Sequence, residues 1–258
     1  YFLQLDCENA KELSLKWDDK TYSFAKDGEK WILELPFSTA VNYVQICVDG
    51  QEVLSPELPI AHGYGRPYNY IELPDEDGLF ELRDVPHGTL TQEFYKSKIS
   101  DNWEKLILYL PPCVPSAGLP VLYLQHGFGE SEISWSTTGK VNILMDNLIA
   151  AGKIKPFAIV MGNGMVKQRI DGKLKLNRAL YGQMLVEEIL PMLEKKYQFG
   201  GSKEKRGMAG LSMGSVQTTR IICEHPELFS EVGIFSGFLR DRIVGGNGSF
   251  PIIIRGRL

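Results

Sequence analysis

The chain has 258 residues, 43% hydrophobic and 23% charged, which is the composition of a globular protein able to bury its own core. Its net charge of −4 argues against a nucleic-acid partner, which selects a basic face. No run of about 18 apolar residues is present, so we expect no transmembrane helix and no membrane partner. The 4 scattered cysteines, without a C-x-x-C pair, predict neither a zinc site nor a disulfide framework.

The first third of the chain predicts short strands. Asp27-Gly28 and Asp49-Gly50 each separate two apolar-rich runs, and Asp-Gly in such a place is typical of a tight β-hairpin whose turn needs positive φ. No helical period appears before about residue 85. Short strands separated by turns predict a β-sandwich, which we assign to residues 1–86.

After this region, predicted strands alternate with predicted helices. Strands are predicted at 94–99, 105–110, 120–124, 157–161, 207–211, 232–235 and 251–254. Helices are predicted at 140–151, 180–197 and 216–223. The alternation predicts an α/β fold, a mostly parallel sheet with flanking helices, over residues 87–258.

One glycine-rich segment carries a chemical motif. Gly210-Leu211-Ser212-Met213-Gly214 has the pattern G-x-S-x-G, with an apolar strand before it and a helical stretch after it. That is the setting of a nucleophile elbow, in which the glycines let strand and helix approach closely around a strained turn. Ser212 is therefore the predicted nucleophile. The alternative is a glycine-rich strand-to-helix turn without chemistry.

An acyl-transfer site also needs donors for the oxyanion of its tetrahedral intermediate. In an elbow, the residue after the nucleophile supplies one through its backbone N–H, here Met213. His126-Gly127-Phe128-Gly129 directly follows the strand predicted at 120–124, and its glycines leave backbone N–H groups accessible. We place the second donor at the Phe128 N–H, although a plain turn is the alternative for this loop.

Taken together, these segments resemble carbohydrate esterase family one, particularly the bacterial feruloyl and acetylxylan esterases. The resemblance extends over about residues 85–240 and is carried by Trp135 and by the segments at 85–88, 122–130, 146–150, 210–214 and 235–237. It implies an α/β-hydrolase domain at 87–258 behind an immunoglobulin-like β-sandwich at 1–86. It further implies hydrolysis of feruloyl or acetyl esters on plant cell-wall polysaccharide, or of small phenolic esters, with no metal or cofactor. It favours an extracellular or periplasmic location.

The chain departs from the family's pattern in two ways. Ser215 stands where the family usually has another glycine, a change from which we expect little harm. Members carry the triad acid and histidine after the nucleophile, whereas Asp241 comes before the last predicted strand. Structural roles fit each of the 4 histidines, His62, His87, His126 and His225. The triad acid and base are therefore unknown, and we expect the esterase domain to be incomplete at Leu258, with little activity on its own.

Other expectations concern the substrate and the partners. Trp135 and Phe238 lie near the two loops beside the nucleophile, where they either form an aromatic wall for the substrate or pack in the core. An apolar last strand left at a sheet edge predicts a possible homodimer. Two rival functions stay open. One is a catalytically dead carbohydrate-binding or scaffold protein that retains the elbow, and the other is a siderophore or thioester esterase on the same fold.

Overall fold

A computed structural model describes residues 1–38, 41–237 and 252–256, the last segment by its backbone alone. Contacts between residues divide the chain into two units, Tyr1–Glu81 and Leu82–Leu258. Across the described ranges, no helix has the length and apolar character needed to cross a bilayer.

The N-terminal unit is built from antiparallel strands. These are β1 (Phe2–Asp6), β2 (Leu13–Trp17), β3 (Lys20–Ser23), β4 (Ala25–Asp27), β5 (Lys30–Glu34), β6 (Val41–Val48), β7 (Gln51–Val53), β8 (Ile60–Gly63) and β9 (Arg66–Glu72). One sheet has the order β1-β5-β4, and the other has the order β3-β2-β6-β9-β8, with β7 paired to β6. The hairpin predicted at Asp49-Gly50 joins β6 to β7, with φ of 49° and 79° at its two turn residues.

Both sheets of this unit contribute to one apolar core. Leu5 and Leu33 enter it from the smaller sheet, and Leu15, Val44 and Ile46 enter it from the larger one. Alternate residues of β2 and β5 face this core, because side chains along a strand point to opposite faces. The immunoglobulin-like assignment and the boundary at residue 86 stay predictions.

The C-terminal unit is an α/β structure. Its strands are β10 (Thr89–Lys96), β11 (Trp103–Leu110), β12 (Val121–Gln125), β13 (Ala158–Gly162), β14 (Lys167–Ile170), β15 (Lys173–Leu176), β16 (Arg206–Leu211), β17 (Glu231–Phe235) and β18 (Ile252–Gly256). Its helices are α1 (Ser134–Thr137), α2 (Val141–Ala150), α3 (Leu180–Met184), a π-helical segment (Leu185–Ile189), α4 (Leu190–Tyr197), a 3₁₀ turn (Lys203–Lys205) and α5 (Met213–Glu224).

Among the described residues, seven strands form the central sheet, in the order β10-β11-β13-β12-β16-β17-β18. The first two pairings, β10 with β11 and β11 with β13, are antiparallel, and the remaining pairings are parallel. Tyr123 and Val160 face one core cluster, whereas their neighbours Leu124 and Ile159 face the other. Burial on both faces explains why β12 and β13 read as continuous apolar runs.

Most predicted elements of this unit are confirmed, with shifted ends. The first predicted strand, at 94–99, begins earlier in the structure, at Thr89, and ends at Lys96. The helix predicted at 216–223 begins at Met213, directly after the predicted nucleophile. The helix predicted at 180–197 is present as α3, the π-helical segment and α4 in succession. The hairpin of β14 and β15 was not predicted from the sequence.

Candidate active site

Ser212 occupies a strained turn between β16 and α5. Its φ is 50° and its ψ is −109°, a backbone conformation that residues with a side chain rarely adopt. A Cβ on Gly214 would lie 2.6 Å from the Gln125 carbonyl oxygen, and a Cβ on Gly210 would collide with the Gly214 carbonyl. Gly210 therefore permits the close approach of β16 and α5, and Gly214 permits the close approach of α5 to the end of β12. The turn leaves Ser212 exposed at the carboxyl end of the parallel strands.

Hydrogen bonds on both sides of Ser212 hold this turn. The Ser212 N–H donates to the Phe235 carbonyl oxygen at 3.0 Å, which ties the elbow to the end of β17. The buried Ser215 hydroxyl donates to the Ser212 carbonyl oxygen at 2.6 Å. A Cβ on Gly237 would collide with this hydroxyl. The serine that replaces a family glycine thus contributes a bond to the nucleophile's own backbone.

The loop after β12 is fixed by two of its side chains. His126 accepts a hydrogen bond at Nε2 from the Gly164 N–H at 3.0 Å, and its Nδ1–H donates to the Gly127 carbonyl oxygen at 2.8 Å. Glu130 Oε2 accepts from the Gly127 N–H at 2.7 Å. Burial lowers the pKa of His126 and raises the pKa of Glu130. Because both ring nitrogens of a neutral His126 are engaged, this residue orders the loop and has no nitrogen left to act as a base.

Ser212, Met213 and Phe128 line one cavity of about 590 Å³. Its other lining residues are Leu176, Asn177, Arg178, Ala179, Gly182, Val216, Gln217, Arg220, Ile221 and Ser236. The structure therefore brings the predicted nucleophile and both predicted oxyanion residues together. Their catalytic roles stay predictions.

Part of this cavity was not predicted from the sequence. Asn177 and Arg178 follow the hairpin of β14 and β15, and the Arg178 guanidinium lies 5.1 Å from the centroid of the Phe128 ring. Asp171-Gly172, at the tip of that hairpin, was an available Asp-Gly turn signal. Gln217 lies four residues after Met213, and helical spacing therefore places it near the same face of α5.

Trp135 and Phe238, the two predicted substrate-binding aromatics, have different outcomes. Trp135 packs with its ring 6.1 Å from that of Phe235 and lies against an apolar core cluster. It is not among the described residues that line the cavity, and its position fits the core-packing alternative. Phe238 lies outside the described residues, as does Asp241.

A histidine–carboxylate pair is present, but away from the elbow. His87 Nδ1 lies 2.9 Å from Asp146 Oδ2, and the buried Asp146 also accepts from the Tyr109 hydroxyl at 2.5 Å and the Gly88 N–H at 3.0 Å. Gly88 directly precedes β10, whose first residue pairs with the last residue of β11. His87 therefore lies at the amino ends of the parallel strands, whereas Ser212 lies at their carboxyl ends.

The remaining histidines have no described contact with Ser212. His225 follows α5 and lies 3.5 Å from Glu227 Oε1. His62 lies on β8 in the N-terminal unit. Within the described residues, no group of His, Cys, Asp and Glu is placed to hold a metal ion.

Comparison with known sequences finds esterases. The profile of the family Esterase, whose description reads "Putative esterase", matches residues 97–245. An endo-1,4-beta-xylanase/feruloyl esterase from Xylanibacter ruminicola is 35% identical over 213 residues, which are 79% of this chain and 29% of that protein. The chain therefore spans less than a third of the length of this relative.

Solved structures of esterases share the fold. A ferulic acid esterase has 28% identity and a TM-score of 0.52, over 59% of this chain and 61% of its own. A ferulic acid esterase from Anaeromyces mucronatus has 22% identity and a TM-score of 0.57, over 63% of each chain. The enterobactin esterase FES from Shigella flexneri has 14% identity and a TM-score of 0.68, over 92% of this chain and 70% of its own. The last two similarities concern the fold alone.

Proposed function

The chain belongs to the Esterase family, and on that premise we propose that it is a serine esterase that removes feruloyl or acetyl groups from plant cell-wall polysaccharide through an acyl-enzyme on Ser212. One observation carries the proposal. Ser212 is held at a φ of 50° on a strand-to-helix turn, exposed to a cavity that it shares with Phe128 and Met213.

In the proposed reaction, Ser212 Oγ attacks the ester carbonyl carbon and the carbonyl oxygen becomes an oxyanion. The backbone N–H groups of Met213 and Phe128 stabilise this charge. Met213 is the first residue of α5, and the partial positive charge at a helix N-terminus favours an anion there. A base must accept the serine proton and return it to the leaving alcohol, after which water releases the acid from the enzyme. The base and its orienting acid are not assigned to residues.

The cavity supports an aromatic or short acyl group. Its volume of about 590 Å³ is that of a small-molecule site. Leu176, Val216 and Ile221 supply apolar wall, and Asn177 supplies a polar amide. A feruloyl group combines a planar apolar ring with a phenolic hydroxyl, which this mixture suits. The 35% identity to a xylanase/feruloyl esterase supports the same choice.

The test measures hydrolysis of methyl ferulate, p-nitrophenyl acetate and long-chain p-nitrophenyl esters by the protein encoded in its natural reading frame. We expect preference for the first two, and we expect Ser212→Ala to lower kcat by a factor on the order of 10⁴ to 10⁶. A phosphonate serine probe should label the parent but not Ser212→Ala. The matched control is Ser202→Ala, at an exposed serine, which should keep both activity and labelling.

Three results would contradict the proposal. Turnover that survives Ser212→Ala would move the nucleophile elsewhere, and a preference for long acyl chains would remove the substrate assignment. Absence of both labelling and turnover in a folded protein would favour the catalytically dead alternative.

A siderophore ester is a second candidate substrate, because Arg178 lines the cavity and its charge suits an acidic catecholate. The fold shared with the enterobactin esterase FES is compatible with it. Competition between enterobactin and a feruloylated arabinoxylan fragment separates the two candidates. Faster turnover of enterobactin, weakened by Arg178→Gln, would establish the second.

A further inference from the structure

The larger sheet of the N-terminal unit carries polar and aromatic residues on its outer face. Lys16 on β2 pairs with Gln45 on β6, and Tyr43 on β6 pairs with Tyr70 on β9. Their neighbours along the strands, such as Leu15, Val44 and Ile46, point into the apolar core. Since side chains alternate along a strand, the first set lies on the face opposite the core.

Three tyrosines cluster on this face. The ring of Tyr68 lies 5.8 Å from that of Tyr43 and 6.3 Å from that of Tyr64, measured between centroids. The Arg66 guanidinium lies 4.1 Å from the Tyr68 centroid and forms an ion pair with Glu52. The stacked Arg66 guanidinium therefore stabilises the Tyr68 ring. Tyr64 is 73% exposed.

Tyr64 has a backbone conformation that its side chain disfavours. Tyr64 and Gly65 form the two-residue turn between β8 and β9, with φ of 52° and 83°. Such a turn selects asparagine, aspartate or glycine at both positions, because φ is positive at both. A bulky aromatic there is strained and gains little burial in return. A local rule broken for so small a gain in packing is typical of a functional position.

The tyrosines border an open concavity of about 730 Å³, within the size range of ligand sites. Its rim bears Lys16 and Lys20 together with Asp18 and Asp19, so that its formal charges cancel. Thr21, Asn42 and Gln45 add neutral hydrogen-bonding groups to the same concavity. Aromatic faces surrounded by balanced donors and acceptors suit a neutral ligand that has apolar ring faces and many hydroxyls.

We propose that this concavity, the tyrosine groove of Tyr43, Tyr64 and Tyr68, is a carbohydrate-binding site for the neutral backbone of a xylan chain. Sugar rings would stack on the tyrosines through their C–H faces, and the polar rim would bind their hydroxyls. The choice of xylan rests on the proposed function, since the esters cleaved at Ser212 would be carried by that polysaccharide. The groove would hold the polysaccharide while the esterase acts on its substituents.

The test measures binding of the full chain to ester-free glycans, which separates it from the esterase reaction. Affinity gel electrophoresis with saponified arabinoxylan and calorimetry with xylohexaose should both show binding. Tyr64→Ala and Tyr68→Ala should raise Kd about tenfold or more, as truncation of aromatic anchors does. Tyr64→Gly should also lose binding while raising the thermal midpoint, because glycine relieves the positive φ.

The matched control is Trp103→Ala, at a 66% exposed aromatic of the C-terminal unit, which should leave Kd unchanged. Tyr64→Ala should raise KM on feruloylated arabinoxylan but leave methyl ferulate kinetics unaltered. Unchanged Kd in folded Tyr64→Ala and Tyr68→Ala would overturn the site. Binding of cellohexaose but not xylohexaose would overturn the xylan assignment. Concentration-dependent self-association lost in Tyr64→Ala would identify a second copy as the occupant and overturn the proposal.

Discussion

At the scale of single residues, the shape of the elbow depends on glycines, which have no side chain. Gly210 lets β16 approach α5, and Gly214 lets α5 approach the end of β12, so closely that a methyl group at either position would meet backbone. Ser215 fills the space beside Gly237 and bonds to the Ser212 carbonyl oxygen. The backbone of Ser212 is thus held by close packing of backbone atoms and by the Ser215 hydroxyl.

Gly214→Ala should therefore be far more harmful than Gly207→Ala. The new methyl group at 214 would lie 2.6 Å from the Gln125 carbonyl oxygen, whereas the one at 207 would lie 3.4 Å from the flexible Leu122 Cδ1. We expect Gly214→Ala to lower the free energy of unfolding by about 3 kcal/mol and to reduce kcat. Urea unfolding and methyl ferulate turnover measure both effects. Equal stability of the two variants would contradict this steric account.

His126 should make stability depend on pH. Burial lowers the pKa of His126 below the ordinary value of 6.5. Above that pH the ring is neutral in both the folded and the unfolded state, so its titration costs the folded protein no stability. As the pH falls below it, the unfolded chain takes up a proton that the folded state resists, and stability is lost. Between pH 7.5 and 5.5, the urea midpoint of the parent should fall more than that of His126→Gln. Parallel curves would show that the ring does not titrate differently on folding.

At the scale of elements, two segments position the cavity wall. The helix from Leu180 to Tyr197 changes to π-helical geometry at Leu185–Ile189, just before Pro191. Proline removes a backbone donor and crowds the preceding turn, and a wider turn relieves that crowding. The hairpin of β14 and β15 leads directly into Asn177 and Arg178, so its turn helps to place these cavity residues.

Gly172→Val should disturb this hairpin and with it the substrate cavity. Asp171 and Gly172 both have positive φ, 50° and 75°, and a β-branched residue at 172 would cost about 1–2 kcal/mol. Because the hairpin strands are largely exposed, the loss should be local. We expect faster hydrogen exchange at Lys167–Ile170 and a KM for methyl ferulate raised by up to about tenfold. Asp171→Gly is the control and should leave both the exchange rate and KM unchanged. An unaltered KM in Gly172→Val would show that the hairpin does not influence substrate binding.

At the scale of the whole molecule, the two units have separate apolar cores. Leu15 is fully buried in the core of the N-terminal unit, and Leu193 is fully buried in that of the C-terminal unit. A unit with a core of its own can in principle fold independently. The described residues that line the cavity at the elbow belong to the C-terminal unit.

Leu15→Ala should accordingly cost stability without costing catalysis. Removing this side chain should lower the free energy of unfolding of the N-terminal unit by about 3 kcal/mol. Turnover of methyl ferulate at room temperature should match that of the parent, because the small ester needs only the cavity at Ser212. Leu193→Ala is the counterpart and should lower the temperature at which activity is lost. If Leu15→Ala lowered the temperature at which activity is lost by a comparable amount, the esterase would depend on the N-terminal core.

Features that depend on a few neighbouring residues were predictable from the sequence. The elbow at Ser212, the hairpin at Asp49-Gly50 and the buried strands β12 and β13 were all readable, because turn chemistry and apolar patterning act over a few residues. The missed hairpin at Asp171-Gly172 belongs to the same class, since its turn signal was present.

Contacts between segments that are distant in the chain were not predictable in this way and are seen in the folded protein. The pairing of β6 with β9 places Tyr43 near Tyr68. The arrangement of the strands places His87 and Ser212 at opposite ends of the parallel strands. Arg178 meets the Phe128 ring across 5.1 Å although many residues separate them in the chain. Such contacts depend on how whole elements pack, and packing is a collective property that a local pattern of residues does not carry.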